Sequence, residues 1–372
     1  MGLFRPRRVQ RDAGSHPAMD YRLPPILANL RRTAVVAIIL AVAAGAWSIY
    51  WLVLATSLRD GVIAWTQQRR AEGLDVGFAN IEIGGYPISV RVVIDRPTAG
   101  SSDGTWSWSA ENGELALSPF TPNRILVHLA GRQEFVLTSA SGRFAYAGTA
   151  RTLTAEIVGD HAESSGTLAV EDLNMKQVGG SETVTVGNLE ANALVRATTQ
   201  DAAAAPTLEI EASLADVLLP RHVALPLGPR ITAAAILANV AGPLDPGSLP
   251  ETLTRWRDAG GTVEIERLEI DYGPLDLSAN GTLALDEDNQ PIGAFTTRIR
   301  GFFEAVDMLR RRRLVTDRAA ITAKLVLGAL ARKGDEGGPP TLSIPLTLQD
   351  RRLYAGPVPL FELPPIDWEA TP

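Results

Sequence analysis

Residues 268–277 read Leu-Glu-Ile-Asp-Tyr-Gly-Pro-Leu-Asp-Leu, and this stretch decides how we interpret the fold of the chain. Apolar and polar residues alternate on both sides of Gly273-Pro274, and a period of two is typical of a strand with one buried face. A Gly-Pro pair between two such runs is a turn signal. The stretch therefore predicts two antiparallel strands joined by a tight turn.

The same arrangement recurs along the chain. Residues 81–90, Ile-Glu-Ile-Gly-Gly-Tyr-Pro-Ile-Ser-Val, again give strand, turn with Pro, and strand, and a Gly-x-Leu-Ala-Leu/Val unit occurs at 113–117, 166–170 and 281–285. After residue 74 most segments are short, alternating and rich in Val, Ile, Leu and Thr. We predict a mainly β fold with a minor α part, built as one long, curved antiparallel β-meander. Whether it divides into two related halves stays open.

Two local patterns predict details of this sheet. Asn112-Gly113 and Asn280-Gly281 each lie between alternating runs, and Asn-Gly is the preferred pair of a two-residue hairpin turn, so both predict hairpins. In residues 262–270 the apolar phase slips at Glu266-Arg267. Because a slip of one residue moves every later side chain to the other face, we expect a β-bulge or bend near Glu266.

The N-terminal region contains one long apolar segment. Residues 34–55, AVVAIILAVAAGAWSIYWLVLA, carry no charge and are bounded by Arg31, Arg32 and Arg59. As a helix the segment is roughly 33 Å long, enough for a hydrocarbon core of about 30 Å. We predict a single transmembrane helix, whose anchoring residues are Ala34, Ile39, Trp47, Tyr50, Trp51 and Ala55. The alternative is a cleaved signal peptide, but its apolar part is normally about 7 to 15 residues long.

Charge predicts the orientation of this helix. Residues 1–33 hold seven Arg and two Asp, although the whole chain has a net charge of −7. The positive-inside bias puts residues 1–33 in the cytoplasm as a basic tail, whether the chain starts at Met1 or Met19. We then expect a juxtamembrane helix at 56–73 and a β-rich domain at 74–372 on the far side of the membrane. The acidic remainder of the chain argues against a nucleic-acid partner.

A helical hairpin interrupts the strand pattern at residues 302–332. Phe302, Phe303, Val306 and Leu309 have helical spacing, and Ile321, Leu325 and Ala329 start a second helical stripe after an N-cap at Thr316 or Asp317. We expect the hairpin to cover one end of the sheet, followed by a flexible link at 334–340. The four residues Arg310, Arg311, Arg312 and Arg313 are candidates for contact with lipid head groups, although a solvated or acid-paired cluster is more common.

No motif predicts catalysis or a cofactor. Residues 100–104 match Gly-x-Ser-x-Gly, but the nucleophile elbow of that form must open a helix, and a strand pattern follows instead. His16, His128, His161 and His222 are isolated, and Asp286–Gln290 lacks the Gly and the final Glu of a calcium loop. The chain has no Cys, which excludes disulfides and thiol chemistry. We predict a protein without enzymatic activity, metal or cofactor.

Residues 83–90, 273–277, 280–281, 290–293, 356–360 and 364–368 together carry a family resemblance. The chain resembles the bacterial domain-of-unknown-function family numbered 2125 over about residues 52–368, and more distantly AsmA-like envelope proteins. The first resemblance implies a Gram-negative bacterium, an inner-membrane anchor and a periplasmic body. The second implies a curved sheet that holds lipid in an apolar groove.

Three functions remain open from the sequence. The first is a non-enzymatic, membrane-anchored periplasmic protein that binds or carries lipid or another amphiphile on the apolar face of its sheet. The second is a structural scaffold of the cell envelope that has a closed sandwich core and a protein partner. The third and least favoured is a hydrolase that uses Ser102.

Overall fold

The structure is a computed structural model that describes residues 25–139, 142–159, 163–196, 208–221, 223, 225–244, 248–332, 339–356, 358–366 and 368. The predicted basic tail up to residue 24 and most of the predicted link at 334–340 lie outside these residues. So do His16, His161 and His222. The chain divides after Tyr50 into two compact units, Met1–Tyr50 and Trp51–Pro372.

Strands make up most of the second unit. The helices are α1 (Pro25–Ala71), α2 (Leu249–Asp258), α3 (Phe302–Arg311) and α4 (Asp317–Leu330). The first strands are β1 (Asn80–Gly84), β2 (Val90–Asp95), β3 (Thr98–Gly100), β4 (Trp106–Ser118), β5 (Thr121–Ser139), β6 (Gly142–Thr149), β7 (Thr152–Gly159), β8 (Glu163–Gln177) and β9 (Thr183–Arg196). The later strands are β10 (Leu208–Leu218), β11 (Arg230–Ala241), β12 (Thr262–Tyr272), β13 (Leu275–Leu285), β14 (Pro291–Arg300), β15 (Leu342–Gln349), β16 (Arg352–Ala355) and β17 (Val358–Glu362).

All seventeen strands that the structure describes belong to one antiparallel sheet. From β8 to β17 each strand pairs with the next strand in the chain. Nearer the start, β2 and β3 pair with different parts of β4, and β6 and β7 pair with different parts of β5. The predicted long antiparallel meander is confirmed, and so are the hairpins β1–β2 and β12–β13 at the two repeated segments.

The two hairpins predicted at Asn-Gly pairs are wrong. Asn112-Gly113 lies inside β4 and Asn280-Gly281 lies inside β13. Pairing on both sides of these strands outweighs the local turn preference, because each residue of an inner strand bonds to two neighbours. At Gly281 the glycine has a different use, since a Cβ there would lie 2.2 Å from the carbonyl oxygen of Ala294.

The β-bulge predicted near Glu266 is confirmed. On one side Ile265 pairs with Ala238 and Arg267 with Leu237, which leaves Glu266 as an extra residue. On the other side the register shifts between Ile265 and Leu268. The side-chain amide of Asn239 donates a 2.6 Å hydrogen bond to the carboxylate of Glu266. The bulge restores the phase, so that Ile265 and Leu268 lie on the same face of the sheet.

The helices agree only in part with the prediction. One uninterrupted helix, α1, includes both the predicted membrane span and the predicted juxtamembrane segment up to Ala71. The predicted helical hairpin is confirmed as α3 and α4, with Thr316 as the N-cap of α4. Helix α2 was missed, although Ser248 followed by Leu249-Pro250-Glu251 is a helix-start signal, with Pro and an acidic residue in the first turn.

The hydrophobic core of the sheet unit begins on α1. Trp51, Ala55 and Leu58 are buried, and they form one cluster with residues of β2 and β4 that include Val90 and Val92. The indole nitrogen of Trp51 donates a 2.7 Å hydrogen bond to the carbonyl oxygen of Ser89, and its ring meets Tyr86 edge-on at 5.3 Å. The second half of α1 is therefore an integral part of the sheet unit.

Replacing Trp51 by Ala tests this packing. We expect Trp51→Ala to lower the free energy of unfolding by about 3 kcal/mol, because a buried aromatic side chain and its hydrogen bond are lost. The measurement is urea unfolding of the detergent-solubilised full chain. Leu52→Ala is the matched control, since Leu52 is the next residue and is 56% exposed, and we expect it to be nearly neutral. Equal effects of the two substitutions would contradict this packing.

Candidate functional site

The strand registers align the apolar residues of the sheet into continuous transverse rows. Because alternate side chains share a face and each pair lies opposite, one row can be followed from strand to strand. One such row comprises Val92, Leu115, Val127, Ala155, Leu168, Ala191, Ala212, Ile236, Leu268, Ala279, Thr297 and Ile344. A parallel row comprises Val90, Leu117, Ile125, Ile157, Gly166, Ala193, Ile210, Ala238, Ile265, Gly281, Phe295 and Leu346. We call this side of the sheet the apolar face.

The opposite side of the sheet is polar. A row on that side, next to the first apolar row and away from the second, comprises Glu114, His128, Thr154, Ala169, Glu190, Ser213, Ala235, Glu269, Ser278, Arg298 and Ser343. Glu114, His128, Glu190, Glu269 and Arg298 are exposed or nearly so. The sheet is therefore amphipathic across its whole width, from β2 to β15.

The middle of the apolar face is open to solvent. On β7, β8 and β9 the exposed fractions are 50% for Ile157, 38% for Leu168 and 43% for Val195. Gly166 pairs with Ile157, and a Cβ on Gly166 would meet no atom within 4 Å. We call these four residues the exposed apolar patch. Towards β2, by contrast, α1 covers the face, and towards β15 Thr297 and Leu342 are almost completely buried.

The repeated Gly-x-Leu-Ala-Leu/Val unit belongs to this face. In β4, β8 and β13 it places Gly, Leu and the final Leu or Val on the apolar side and Ala on the polar side. The unit is therefore a strand pattern that maintains the apolar face. The sequence showed the alternation, but it contained no signal that β7–β9 would be the uncovered strands.

One cavity of β10–β15 is on the polar side. It has a volume of about 930 Å³ and is lined in part by charged side chains of the polar face, among them Glu269, Asp271 and Arg298. Arg300 and Asp276 line it too and form an ion pair at 2.5 Å. This lining suits water and ions better than an apolar ligand, so the exposed apolar patch remains the candidate site.

Ion pairs link the two helices of the α3–α4 hairpin. The ammonium of Lys324 lies 2.5 Å from a carboxylate oxygen of Asp307, and both side chains are about one-third exposed. The hydrogen bond from Lys324 lowers the pKa of Asp307 below its ordinary value, with smaller contributions from Arg310 and Arg311. On α4 the half-buried or buried residues are Ala320, Ala323, Lys324 and Leu327. The predicted stripe of Ile321 and Leu325 therefore points away from this packing.

The four consecutive arginines have different surroundings. Arg310 lies 3.8 Å from Asp307 and 3.6 Å from Asp317, and Arg312 donates a 2.9 Å hydrogen bond to the carbonyl oxygen of Leu225. Arg311 and Arg313 are exposed and have no ion pair within 4 Å in the part of the chain that the structure describes. Two of the four are thus available for an external anion.

The predicted membrane anchor is one apolar helix near the N-terminus. Thr33–Ala71 contains a stretch long and apolar enough to cross a membrane, which is compatible with a single-pass anchor or a signal sequence. Ile39 is 60% exposed, Trp47 is half-buried, and the rings of Trp47 and Tyr50 lie 5.8 Å apart. Trp51 and Ala55, however, are buried against the sheet, so these two predicted anchor residues are not available to lipid.

The remaining sequence motifs lie in turns and strands. The residues 101–104 form a turn between β3 and β4, where Asp103 accepts hydrogen bonds from the backbone and hydroxyl of Thr105. His128 is on the polar face of β5, and Asp286 caps the turn between β13 and β14 through the backbone of Asp288 and Gln290. Among the described residues, no three His, Cys, Asp or Glu side chains group together as metal ligands.

The chain matches a known protein family. A family model described as "Uncharacterized protein conserved in bacteria (DUF2125)" matches residues 51–364. The chain belongs to this family. The DUF2125 match begins at Trp51, which is also the first residue of the sheet unit. No curated protein and no solved structure matches the chain. The resemblance to AsmA-like envelope proteins stays a prediction.

The ion pair between Asp307 and Lys324 predicts that the stability of the hairpin depends on pH. Because the pKa of Asp307 is lowered in the folded state, its contribution to stability is complete above its ordinary value of 3.8. That contribution is lost as the pH falls through the lower folded pKa. Amide hydrogen exchange of α4, corrected for intrinsic rates, should therefore show less protection at pH 3 than at pH 5.

Two variants separate this pair from general acid effects. In Asp307→Asn we expect α4 to be less protected at pH 5, with a smaller change between pH 5 and pH 3. Glu304→Gln is the control, because Glu304 lies one turn earlier on α3 and is exposed. A loss of protection in Glu304→Gln equal to that in Asp307→Asn would show that the ion pair does not hold the hairpin.

Proposed function

We propose that this DUF2125 protein is a membrane-anchored envelope protein that binds the acyl chain of a lipid or another amphiphile at the exposed apolar patch. The observation that carries the proposal is the partial exposure of Ile157, Leu168 and Val195 in the middle of the apolar face, between the part that α1 covers and the buried Thr297 and Leu342. Contiguous exposed apolar surface on a folded protein marks an interaction site. The protein would act by binding and would not need a catalytic residue.

The form of the patch suits an acyl chain. Gly166 and Ala193 pair beside Ile157, so the surface is low in the centre and bordered by larger side chains. Each methylene of an acyl chain that leaves water contributes about 0.8 kcal/mol, so ten carbon atoms supply about 8 kcal/mol before ordering costs. The absence of charged residues from the two apolar rows favours such a ligand over a polar one.

The apolar helix supports the cellular location that we propose. With Arg31 and Arg32 before the apolar segment, the positive-inside bias favours a cytoplasmic N-terminus and a sheet unit in the periplasm of the inner membrane. A protein held at a bilayer has a local source of lipid. The location therefore agrees with the proposed ligand.

A protein partner is the alternative. The scaffold hypothesis assumed a closed sandwich core, whereas the described strands all belong to a single sheet. A scaffold would still be possible if a partner covered Ile157, Leu168 and Val195. The identity of the molecule on this patch decides between the two functions.

Site-specific cross-linking in cells identifies that molecule. We expect p-benzoylphenylalanine in place of Leu168 to give adducts of lipid mass, and the same probe in place of Thr167 to give few. Thr167 is the matched control, because it is the preceding residue in β8 and faces the polar side. A discrete protein adduct at position 168 would support the scaffold, and no adduct at either position would contradict both functions.

A charge on the patch should weaken the lipid adduct. With the probe at position 168, we expect Ile157→Glu to reduce the lipid adduct about tenfold or more, since burying a carboxylate against an acyl chain is costly. Thr167→Glu introduces the same charge on the opposite face and should leave the adduct unchanged. Equal yields in the two variants would contradict binding at the patch.

The topology is tested with reporter fusions. Alkaline phosphatase folds to an active enzyme only outside the cytoplasm, because its disulfides need an oxidising compartment. We expect activity for a fusion after Pro372 and none for a fusion after Thr33. Fractionation should recover the full chain with the membrane. Inactive phosphatase after Pro372, or release of the sheet unit from the membrane, would contradict the anchored periplasmic location.

A further inference from the structure

The outer face of α4 has an unusual composition for a surface helix. From Ala319 to Ala331 the only charged residue is Lys324, and Lys324 faces inward to its ion pair with Asp307. The side that points outward therefore carries no charge over about three turns. A helix that is apolar on all sides is normally buried, and the described residues of the sheet unit do not cover this outer side.

The exposed side chains form one apolar stripe. Ile321 is 60% exposed and Leu325 is 70% exposed, and they are four residues apart. Leu314, Val326 and Leu330 are also more than 40% exposed. Since residues four apart lie on the same side of a helix, the stripe is continuous along α4. We call it the α4 stripe.

Positive charge surrounds the stripe. Residues 302–332 contain seven Arg and Lys and three Asp and Glu, whereas the whole chain has a net charge of −7. The carboxylates of Asp307 and Asp317 are already paired with Lys324 and Arg310. Arg311, Arg313 and Arg318 are exposed and have no ion pair within 4 Å among the residues described by the structure. The hairpin thus combines apolar side chains with free guanidinium groups.

Arg311 and Arg312 also line a cavity of about 530 Å³ with Met308 and Leu227. The cavity is next to the end of α3 and opens beside basic side chains. It is large enough for the phosphate of a lipid head group.

We propose that the α4 stripe docks onto the surface of a bilayer that contains anionic phospholipid. Apolar side chains beside free arginines are typical of helices that lie in the membrane interface, with the apolar side in the acyl boundary and the cations among the head groups. The charge of the hairpin, opposite in sign to the rest of the chain, favours this partner. The inference does not depend on ligand binding at the exposed apolar patch.

The chain has no Cys, so a fluorophore can be placed at one chosen position. We would label Leu325→Cys in the full chain with NBD and label Val178→Cys as the control. Val178 is 58% exposed and lies in the turn after β8, away from the hairpin in sequence. The labelled chain is reconstituted in vesicles of phosphatidylethanolamine and phosphatidylglycerol that carry doxyl-labelled lipid. It is also held in zwitterionic nanodiscs and titrated with the same vesicles.

We expect doxyl lipid to quench NBD at position 325 at least about twofold more than at position 178. This difference should be seen either in the reconstituted vesicles or when vesicles are added to the nanodiscs. The triple variant Arg311→Gln/Arg313→Gln/Arg318→Gln should weaken docking on added vesicles by roughly 100-fold, because each basic residue near an anionic surface contributes about a factor of five. Position 178 should be unaffected by the three substitutions.

Other results would overturn the inference. A blue shift of NBD at position 325 without quenching by doxyl lipid would show that protein, such as a second copy of the chain, covers the α4 stripe. If NBD fluorescence at position 325 changed neither in the reconstituted vesicles nor in the nanodiscs with added vesicles, the α4 stripe would remain in water. Quenching that is equal in the triple variant would remove the role of the arginines.

Discussion

The strand register is the constraint on which the rest of this structure depends. From β2 to β15 the described strands are paired so that apolar residues meet apolar residues, and a slip of one residue in any of them would turn its apolar side chains to the other face. The bulge at Glu266 shows that a single residue decides whether the register is kept. Without the extra residue, the halves of β12 before and after it would face opposite sides, and the rows could not continue into β13.

A single sheet with one apolar face must find cover for that face, and the chain supplies it unevenly. At the β2 end α1 provides Trp51, Ala55 and Leu58, and the region around Thr297 and Leu342 is buried as well. Between them Ile157, Leu168 and Val195 stay in contact with solvent. This uneven cover gives the sheet a candidate binding site, since apolar surface that a chain leaves open is surface that another molecule can bury.

Helix α1 and helix α4 of the α3–α4 hairpin both expose apolar side chains that the sheet does not bury. In α1 the apolar segment continues from the predicted span into the core of the sheet unit, so residues such as Trp51 serve the protein interior. In α4 the single lysine is used for packing on Asp307, which leaves the outer side apolar. Both helices therefore carry more apolar surface than the sheet buries, and both link the fold to a membrane environment in our proposals.

The sequence by itself determined the strand-rich fold, the apolar helix, the hairpin of helices and the bulge at Glu266, because each follows from a local period or a break in it. It could not decide whether Asn112-Gly113 would turn, since pairing with strands on both sides outweighs the preference of two residues. Nor could it assign Trp51 to the core, or show that Leu168 and Leu325 would be exposed while Leu342 is buried. Burial depends on which distant segments meet, and only the tertiary structure contains that information.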